Sequence, residues 1–286
     1  QCPFWPGGAP PPCRGSVASV QERQILSANA EFQLALALLD NRKQRRRQRR
    51  FAVQSVAAID QARAAGWRFD SLWSPAGKRL SSWALAVLER SDAALHVELA
   101  PELFAQLSGK SEPGELIALL ELPPDDLGRI PALAAPLIVV LDRPASPGNL
   151  GSIVRSAEAF GADAVLVTGH AADPYDPQAV RASVGALFAL PVLTHGSPRG
   201  LAEELHARWP GLRIVGTSAR GDTLLGDSDL RGPVALVLGN EATGLSEAWR
   251  ELCDALVAIP IHGVVSSLNL AAAAAVVLAE AERQRR

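Results

Sequence analysis

The chain has 286 residues, with 28 Lys and Arg against 30 Asp and Glu and a formal net charge of −2. That length suits two modest domains, each able to bury its own core. The near-neutral charge excludes a uniformly basic nucleic-acid coat but leaves room for a local basic patch, which is what a phosphate backbone feels.

Residues Gln1–Gly15 are rich in Pro and Gly and read as irregular, loosely draped chain, so a flexible N-terminus is expected over residues 1–19. From Val20 to Asp40, Ile25, Phe32, Leu36 and Leu39 recur at helical spacing, which predicts one amphipathic helix. A basic run follows: seven of the nine residues Arg42–Arg50 carry positive charge, namely Arg42, Lys43, Arg45, Arg46, Arg47, Arg49 and Arg50. Such a run fits a solvated helix face or a nucleic-acid contact, and composition alone leaves both open.

Short apolar strands then alternate with helices. Strands are predicted at Phe51–Val56, Phe69–Trp73, His96–Glu98 and Leu116–Leu120, with helices at Ala57–Ala65, Trp83–Arg90 and Pro101–Leu107. This alternation implies an α/β domain on a partly parallel sheet over residues 20–122. The Pro-rich stretch that follows reads as a linker over residues 123–136.

A second α/β domain is predicted over residues 137–286. Its strands are Leu137–Leu141, Ala164–Thr168, Pro191–Thr194, Leu212–Thr217, Val234–Leu238 and Ala255–Ile259. Several are continuous apolar runs, as strands buried on both faces should be. Helices are predicted at Leu150–Phe160, Pro177–Leu187, Arg199–Trp209, Ser246–Leu252 and Ser267–Arg283, with Ser246 and Ser266 or Ser267 as caps.

Cys2, Cys13 and Cys253 give no disulfide framework and no metal-ligand spacing, and the five histidines do not cluster with acids or cysteines at zinc spacing. The expectation is a reduced, cytoplasmic, metal-free protein. No uninterrupted apolar stretch reaches membrane-spanning length. The first residues lack a secretory pattern, and the missing initiator Met reads as a trimmed start.

Three candidate sites each follow an apolar strand, where loops and helix N-termini converge. The first is LDRPASPGNLGSIVRSAEAFGA, with Asn149 and Arg155; taken singly, these fit an N-cap at the helix start and a surface ion pair. The second is VALVLGNEATGLSEAW, where Gly239 allows close backbone approach and Glu241 follows in a Gly-flanked turn that also fits a solvated acid. The third is VAIPIHGVVSSLNLAAAAAVVLAEAE, where Ser267, Leu268 and Asn269 open a helix that also reads as an Ala-rich core element. No GxGxxG follows a strand, which disfavours a nicotinamide oxidoreductase.

In this order, N-x-G-x-I-x-R, G-N-E-x-x-G-L-S and I-P-I-x-G…S-L-N-L resemble the TrmH-type branch of the SPOUT RNA 2′-O-ribose methyltransferases. RASVGALFALPV, Arg181–Val192, is similar to that family's intermediate segment. Ile261 stands where the family often has Met. In the first half, LSGKSEPGELIALLEL is similar to the ribosomal-protein-like RNA-binding module of several members.

The resemblance implies an α/β, mostly parallel SPOUT domain with a trefoil knot that binds S-adenosylmethionine, working as a homodimer. It implies Leu238, Gly239, Asn240, Ile259, Ser267 and Leu268 as cofactor contacts. Arg155 would position the target and stabilise the developing alkoxide, while Asn149, Glu241, Ser267 and Asn269 position the ribose and hold the motifs together. The substrate implied is a structured RNA, rRNA before tRNA. Similarity to antibiotic-resistance members points to a uridine of 23S rRNA. The rival expectations are a tRNA 2′-O-ribose methyltransferase and a catalytically silent RNA-binding protein.

Overall fold

The structure, a computed structural model, describes residues 20–286 apart from Ser111. The irregular segment expected over residues 1–19, with Cys2 and Cys13, lies outside the described residues.

Two compact units divide the described residues, one comprising residues 20–123 together with Tyr175–Arg181, the other Pro124–Pro174 and Ala182–Arg286. In the first, β1 (Gln21–Ile25), α1 (Ala30–Asp40) and α2 (Arg42–Gln48) lead into β2 (Arg50–Val53), α3 (Val56–Ala64) and β3 (Phe69–Pro75). Then come α4 (Ser82–Arg90), β4 (Leu95–Leu99), α5 (Pro101–Ser108) and β5 (Ile117–Glu121). The sheet order is β1-β4-β3-β5-β2, with β5 antiparallel to both neighbours and the other pairs parallel. Phe32, Ala35 and Leu38 of α1 and Phe104 and Leu107 of α5 pack on Trp73, Val97, Ile117 and Leu119 of the sheet.

The single helix expected over Val20–Asp40 is corrected. Gln21–Ile25 is a strand, and α1 begins only at Ala30, where the Asn29 side chain accepts the Phe32 amide at 2.9 Å. The strand QERQI shows only Ile25 buried, so it carries no period-2 apolar signal.

The second unit contains β6 (Leu137–Asp142), α6 (Pro147–Ala159) and β7 (Ala164–Thr168). After these come α7 (Pro177–Ala182), α8 (Ala186–Ala189), β8 (Val192–His195), α9 (Pro198–Arg208), β9 (Arg213–Thr217) and β10 (Thr223–Leu224). β11 (Val234–Leu238), α10 (Glu247–Leu252), β12 (Ala255–Ala258) and α11 (Leu270–Arg285) complete it. Most of α7 clusters with the first unit.

The seven strands run β10-β12-β9-β11-β6-β7-β8, all in parallel. Every residue of β6, β7 and β11 is buried, as parallel strands covered on both faces require. Leu201 and Leu205 of α9 and Trp249 of α10 pack on one face, against Ile138, Leu166, Ile214 and Val237. The alternate residues point to the other face, and α6 and α11 pack on each other.

Two helix starts and one helix interior differ from expectation. Ser146 caps α6, accepting the Asn149 amide, so Asn149 lies inside the first turn rather than at the cap. Asn269 caps α11, accepting the Ala271 and Ala272 amides, in place of Ser266 or Ser267. The helix expected over Pro177–Leu187 breaks into α7 and α8, because Val184 and Gly185 adopt left-handed φ of 50° and 97°.

Candidate functional site

The parallel order puts the carboxyl ends of β12, β9, β11 and β6 side by side. Loops leaving neighbouring strand ends are the usual ligand cradle of such a sheet. All three sequence motifs leave from this row: the first follows β6, the second β11 and the third β12.

The loop after β11 is tight. Gly239 leaves no room for a side chain, since a Cβ there would lie 2.2 Å from the Gly244 carbonyl carbon and the Leu245 nitrogen. Asn240 and Gly244 exchange backbone hydrogen bonds of 3.0 and 2.9 Å. The Asn240 carboxamide oxygen accepts the Ala242 and Thr243 amides, and its nitrogen donates to the Arg143 carbonyl at 2.8 Å.

Glu241 leaves this loop towards α6. Its carboxylate accepts the Ala145 amide at 3.0 Å, the Ser146 amide at 3.3 Å and the Asn149 side-chain amide at 3.0 Å. Desolvation by itself would raise the Glu241 pKa, but the bonds from Asn149 and the backbone outweigh it and hold the carboxyl below its ordinary value. The Asn149 side-chain oxygen Oδ1 in turn accepts the Asn269 side-chain amide at 3.2 Å. Glu241, Asn149 and Asn269, one from each motif, therefore form one hydrogen-bonded chain.

Two predicted residues stand outside it. Arg155 is exposed on α6, and among the described residues it has no hydrogen-bond or ion-pair partner. Six positions along a 3.6-residue helix set it about 120° around the axis from Asn149, so the two do not share a face. Ser267 is exposed between β12 and α11, with no hydrogen bond among the described residues. Leu238 is buried at the end of β11, Ile259 is half-buried just past β12, and Leu268 is exposed.

The basic run divides. Arg45 is only 2% exposed, donates to the Leu38 and Leu39 carbonyls at 2.8 and 2.9 Å, and pairs with Asp176 at 3.5 Å. It is a structural residue, which corrects the expectation that it contacts RNA. Arg49 donates to the Leu122 carbonyl and Arg50 pairs with Asp70. Lys43, Arg46 and Arg47 present exposed side chains on α2.

Sequence reasoning passed over two features of the row of strand ends. The loop after β9, residues 218–221, lies between the two loops that it did single out, because β9 pairs with both β11 and β12. A Cβ on Gly221 would lie 2.6 Å from the Val257 carbonyl carbon, so this loop is pressed onto β12. The tripeptide GTS, which closes this apolar strand and opens the loop, was the available signal, but only strand order gives it meaning. Asp142 and Arg143 at the end of β6 were also missed.

Comparison with known proteins agrees with this geometry. The SpoU rRNA Methylase family model matches residues 136–279, and the SpoU L30e-like domain model matches residues 29–118. The chain belongs to the SpoU rRNA methylase family. It is 46% identical over 267 residues to the 23S rRNA (uridine(2479)-2′-O)-methyltransferase of Streptomyces viridochromogenes, covering 92% of this chain and 93% of that protein. The crystal structure of the SpoU methyltransferase AviRb from the same organism, in complex with the cofactor AdoMet, superposes with a TM-score of 0.86. The identity there is 45%, over 90% of this chain and 98% of that one. An AdoMet-bound rRNA methyltransferase from Sinorhizobium meliloti gives 0.80 at 28% identity, over 92% and 98% of the two chains. The family and the α/β fold expected from the motifs are thus both found.

Proposed function

We propose that this SpoU-family enzyme transfers a methyl group from S-adenosylmethionine to a ribose 2′-oxygen of RNA, with a uridine of 23S rRNA as the target. The observation that carries the reading is the Asn269–Asn149–Glu241 chain, which gathers all three motifs at the strand ends. The 46% identity to a 23S rRNA uridine 2′-O-methyltransferase over nearly the whole of both chains supports the substrate.

The residues present fit the cofactor. Gly239 lets the loop backbone close onto Gly244 and Leu245 with no side chain between them, and this tight loop leaves the carboxyl end of a parallel strand, where such sheets hold ligands. Leu238, Gly239, Asn240, Ile259, Ser267 and Leu268 would hold it, and the neighbouring loop of residues 218–221 would close the row. When bound, it supplies an electrophilic sulfonium methyl with a neutral thioether leaving group.

The chain's own residues supply position and charge. Asn149, Glu241 and Asn269 fix the loops against one another, with Ser267 beside them to position the ribose; a misplacement of about 1 Å can lower a rate about 100-fold. Arg155 holds the target phosphate or hydroxyl and stabilises charge developing on the 2′-oxygen. A guanidinium offers donors and no acceptor, so its role is electrostatic.

We assign RNA recognition to residues 20–122, with Lys43, Arg46 and Arg47 as exposed phosphate contacts, Arg42, Arg49 and Arg50 beside them, and residues 123–136 as linker to the methyltransferase domain 137–286. We further propose a homodimer: Val264, Val265, Leu268 and Val276 are large apolar residues exposed on a single chain, a pattern that marks association surfaces. A cytoplasmic setting and a role in ribosome-directed antibiotic resistance complete the reading. No helix among the described residues is long and apolar enough to cross a membrane, and no metal-binding cluster is found among them.

The test offers methyl-labelled S-adenosylmethionine with purified 23S rRNA and with tRNA. Label in 23S rRNA supports the proposal. Label in tRNA alone redirects it to tRNA, and RNA binding without label marks a catalytically silent binder.

A further inference from the structure

We infer that Asp142 and Arg143 form a latch that holds the loop Gly239–Ser246 in its cofactor-binding shape, which makes them positioning residues of the methyl transfer. The inference rests on the reading of that loop as cofactor-binding.

Asp142 ends β6 and is a carboxylate with 1% exposure. Its Oδ2 accepts the Ser246 amide at 2.6 Å and Arg143 Nη2 at 3.2 Å, and its Oδ1 accepts Arg143 Nε at 3.0 Å. Arg143 Nη2 also donates to the Gly244 carbonyl at 3.2 Å, and the Arg143 carbonyl accepts Asn240 Nδ2 at 2.8 Å. Three loop positions, 240, 244 and 246, are thereby tied to two consecutive residues of the neighbouring strand end.

The surroundings are shaped for this arrangement. Arg143 has a φ of 56°, a left-handed conformation uncommon outside glycine, and its amide donates to the Thr168 carbonyl at 3.0 Å. Gly169, with φ of 72°, leaves the space that the Arg143 side chain fills, since a Cβ there would lie 2.7 Å from Arg143 Cγ. Trp249 Nε1 donates to Thr168 Oγ1 at 3.0 Å, so the helix after the loop is tied to the same strand end.

A buried carboxylate facing three donors is tolerated only because they are there. Asp142→Asn turns one acceptor into a donor that must face an N–H, without changing shape. Arg143→Gly removes the guanidinium while suiting the left-handed backbone, so it separates the latch from the turn. Neither residue belongs to the region assigned to RNA.

The experiment measures S-adenosylmethionine binding by calorimetry, together with kcat, both KM values and the melting temperature, for wild type, Asp142→Asn and Arg143→Gly. The expected result is folded variants, with melting above the assay temperature. Cofactor Kd and KM should rise about tenfold or more, in line with a lost charge-assisted hydrogen bond, while the KM for RNA stays at the wild-type value. Wild-type cofactor affinity in a folded Arg143→Gly and a folded Asp142→Asn would overturn the latch alone. Absence of cofactor binding by the wild-type chain would overturn the reading of the loop, and the latch with it.

Discussion

The Asn149 side-chain nitrogen lies 3.0 Å from the Glu241 carboxylate, across 92 positions of sequence. Asn149 uses both ends of its amide, since its oxygen also accepts the Asn269 side chain. An amide can give and take at once, whereas a carboxylate only accepts. Substitutions that keep shape and change this donor–acceptor pattern are therefore the informative ones.

Asn269→Asp keeps the cap on α11, because a carboxylate still accepts the Ala271 and Ala272 amides. It removes the donor to Asn149 and sets a negative charge against the Asn149 side-chain oxygen. The melting temperature should stay within a few degrees of wild type while kcat/KM falls by about tenfold or more. Asn269→Ala should also lose about 1 kcal/mol of stability through the cap, read by denaturant unfolding.

Glu241→Gln should lower activity and stability near neutral pH, and should remove one source of acid sensitivity. The wild-type carboxyl titrates below its ordinary value in the fold, so it stabilises at pH above that value and loses the contribution as pH falls through the lowered one. Unfolding followed between about pH 6 and pH 3 should show a shallower acid decline in the variant than in wild type. Equal slopes would show that the Glu241 bonds do not stabilise the fold.

The basic run should split in the same way. Arg45→Ala strands two buried carbonyls and Asp176, and should cost about 2–4 kcal/mol of stability. A combined Lys43→Ala, Arg46→Ala and Arg47→Ala variant should fold normally and bind rRNA less tightly. Its log Kd against log salt should flatten by about one for each phosphate that is no longer neutralised. An unchanged slope would remove α2 from the RNA-binding surface.

Arg155→Ala should abolish methyl transfer while cofactor affinity, measured by calorimetry, stays near the wild-type value. Full activity in that variant would remove Arg155 from the mechanism.

Much of the second unit was legible because LIVVL, AVLVT and VALVL are buried on both faces, and a continuous apolar run is what such strands demand. The strand Gln21–Ile25 was not, since only Ile25 is buried and the apolar residues after it belong to a separate helix. The three motifs were legible, but that Asn149, Glu241 and Asn269 hold them together came only from the resemblance and not from any local pattern. Whether Asn149 meets Glu241 depends on β6 pairing with β11, and strand order is set by long-range packing that no local pattern encodes. The same blindness hid the loop after β9, and it gave Arg45 the appearance of a surface charge when its partners include Asp176, far along the chain.

The most direct test of the central claim is nucleoside mass spectrometry of 23S rRNA treated with the enzyme and methyl-labelled S-adenosylmethionine. The expected product is a single new labelled nucleoside, 2′-O-methyluridine, with the label on the ribose fragment. Label on a base fragment, or no label in RNA that the protein demonstrably binds, would contradict it.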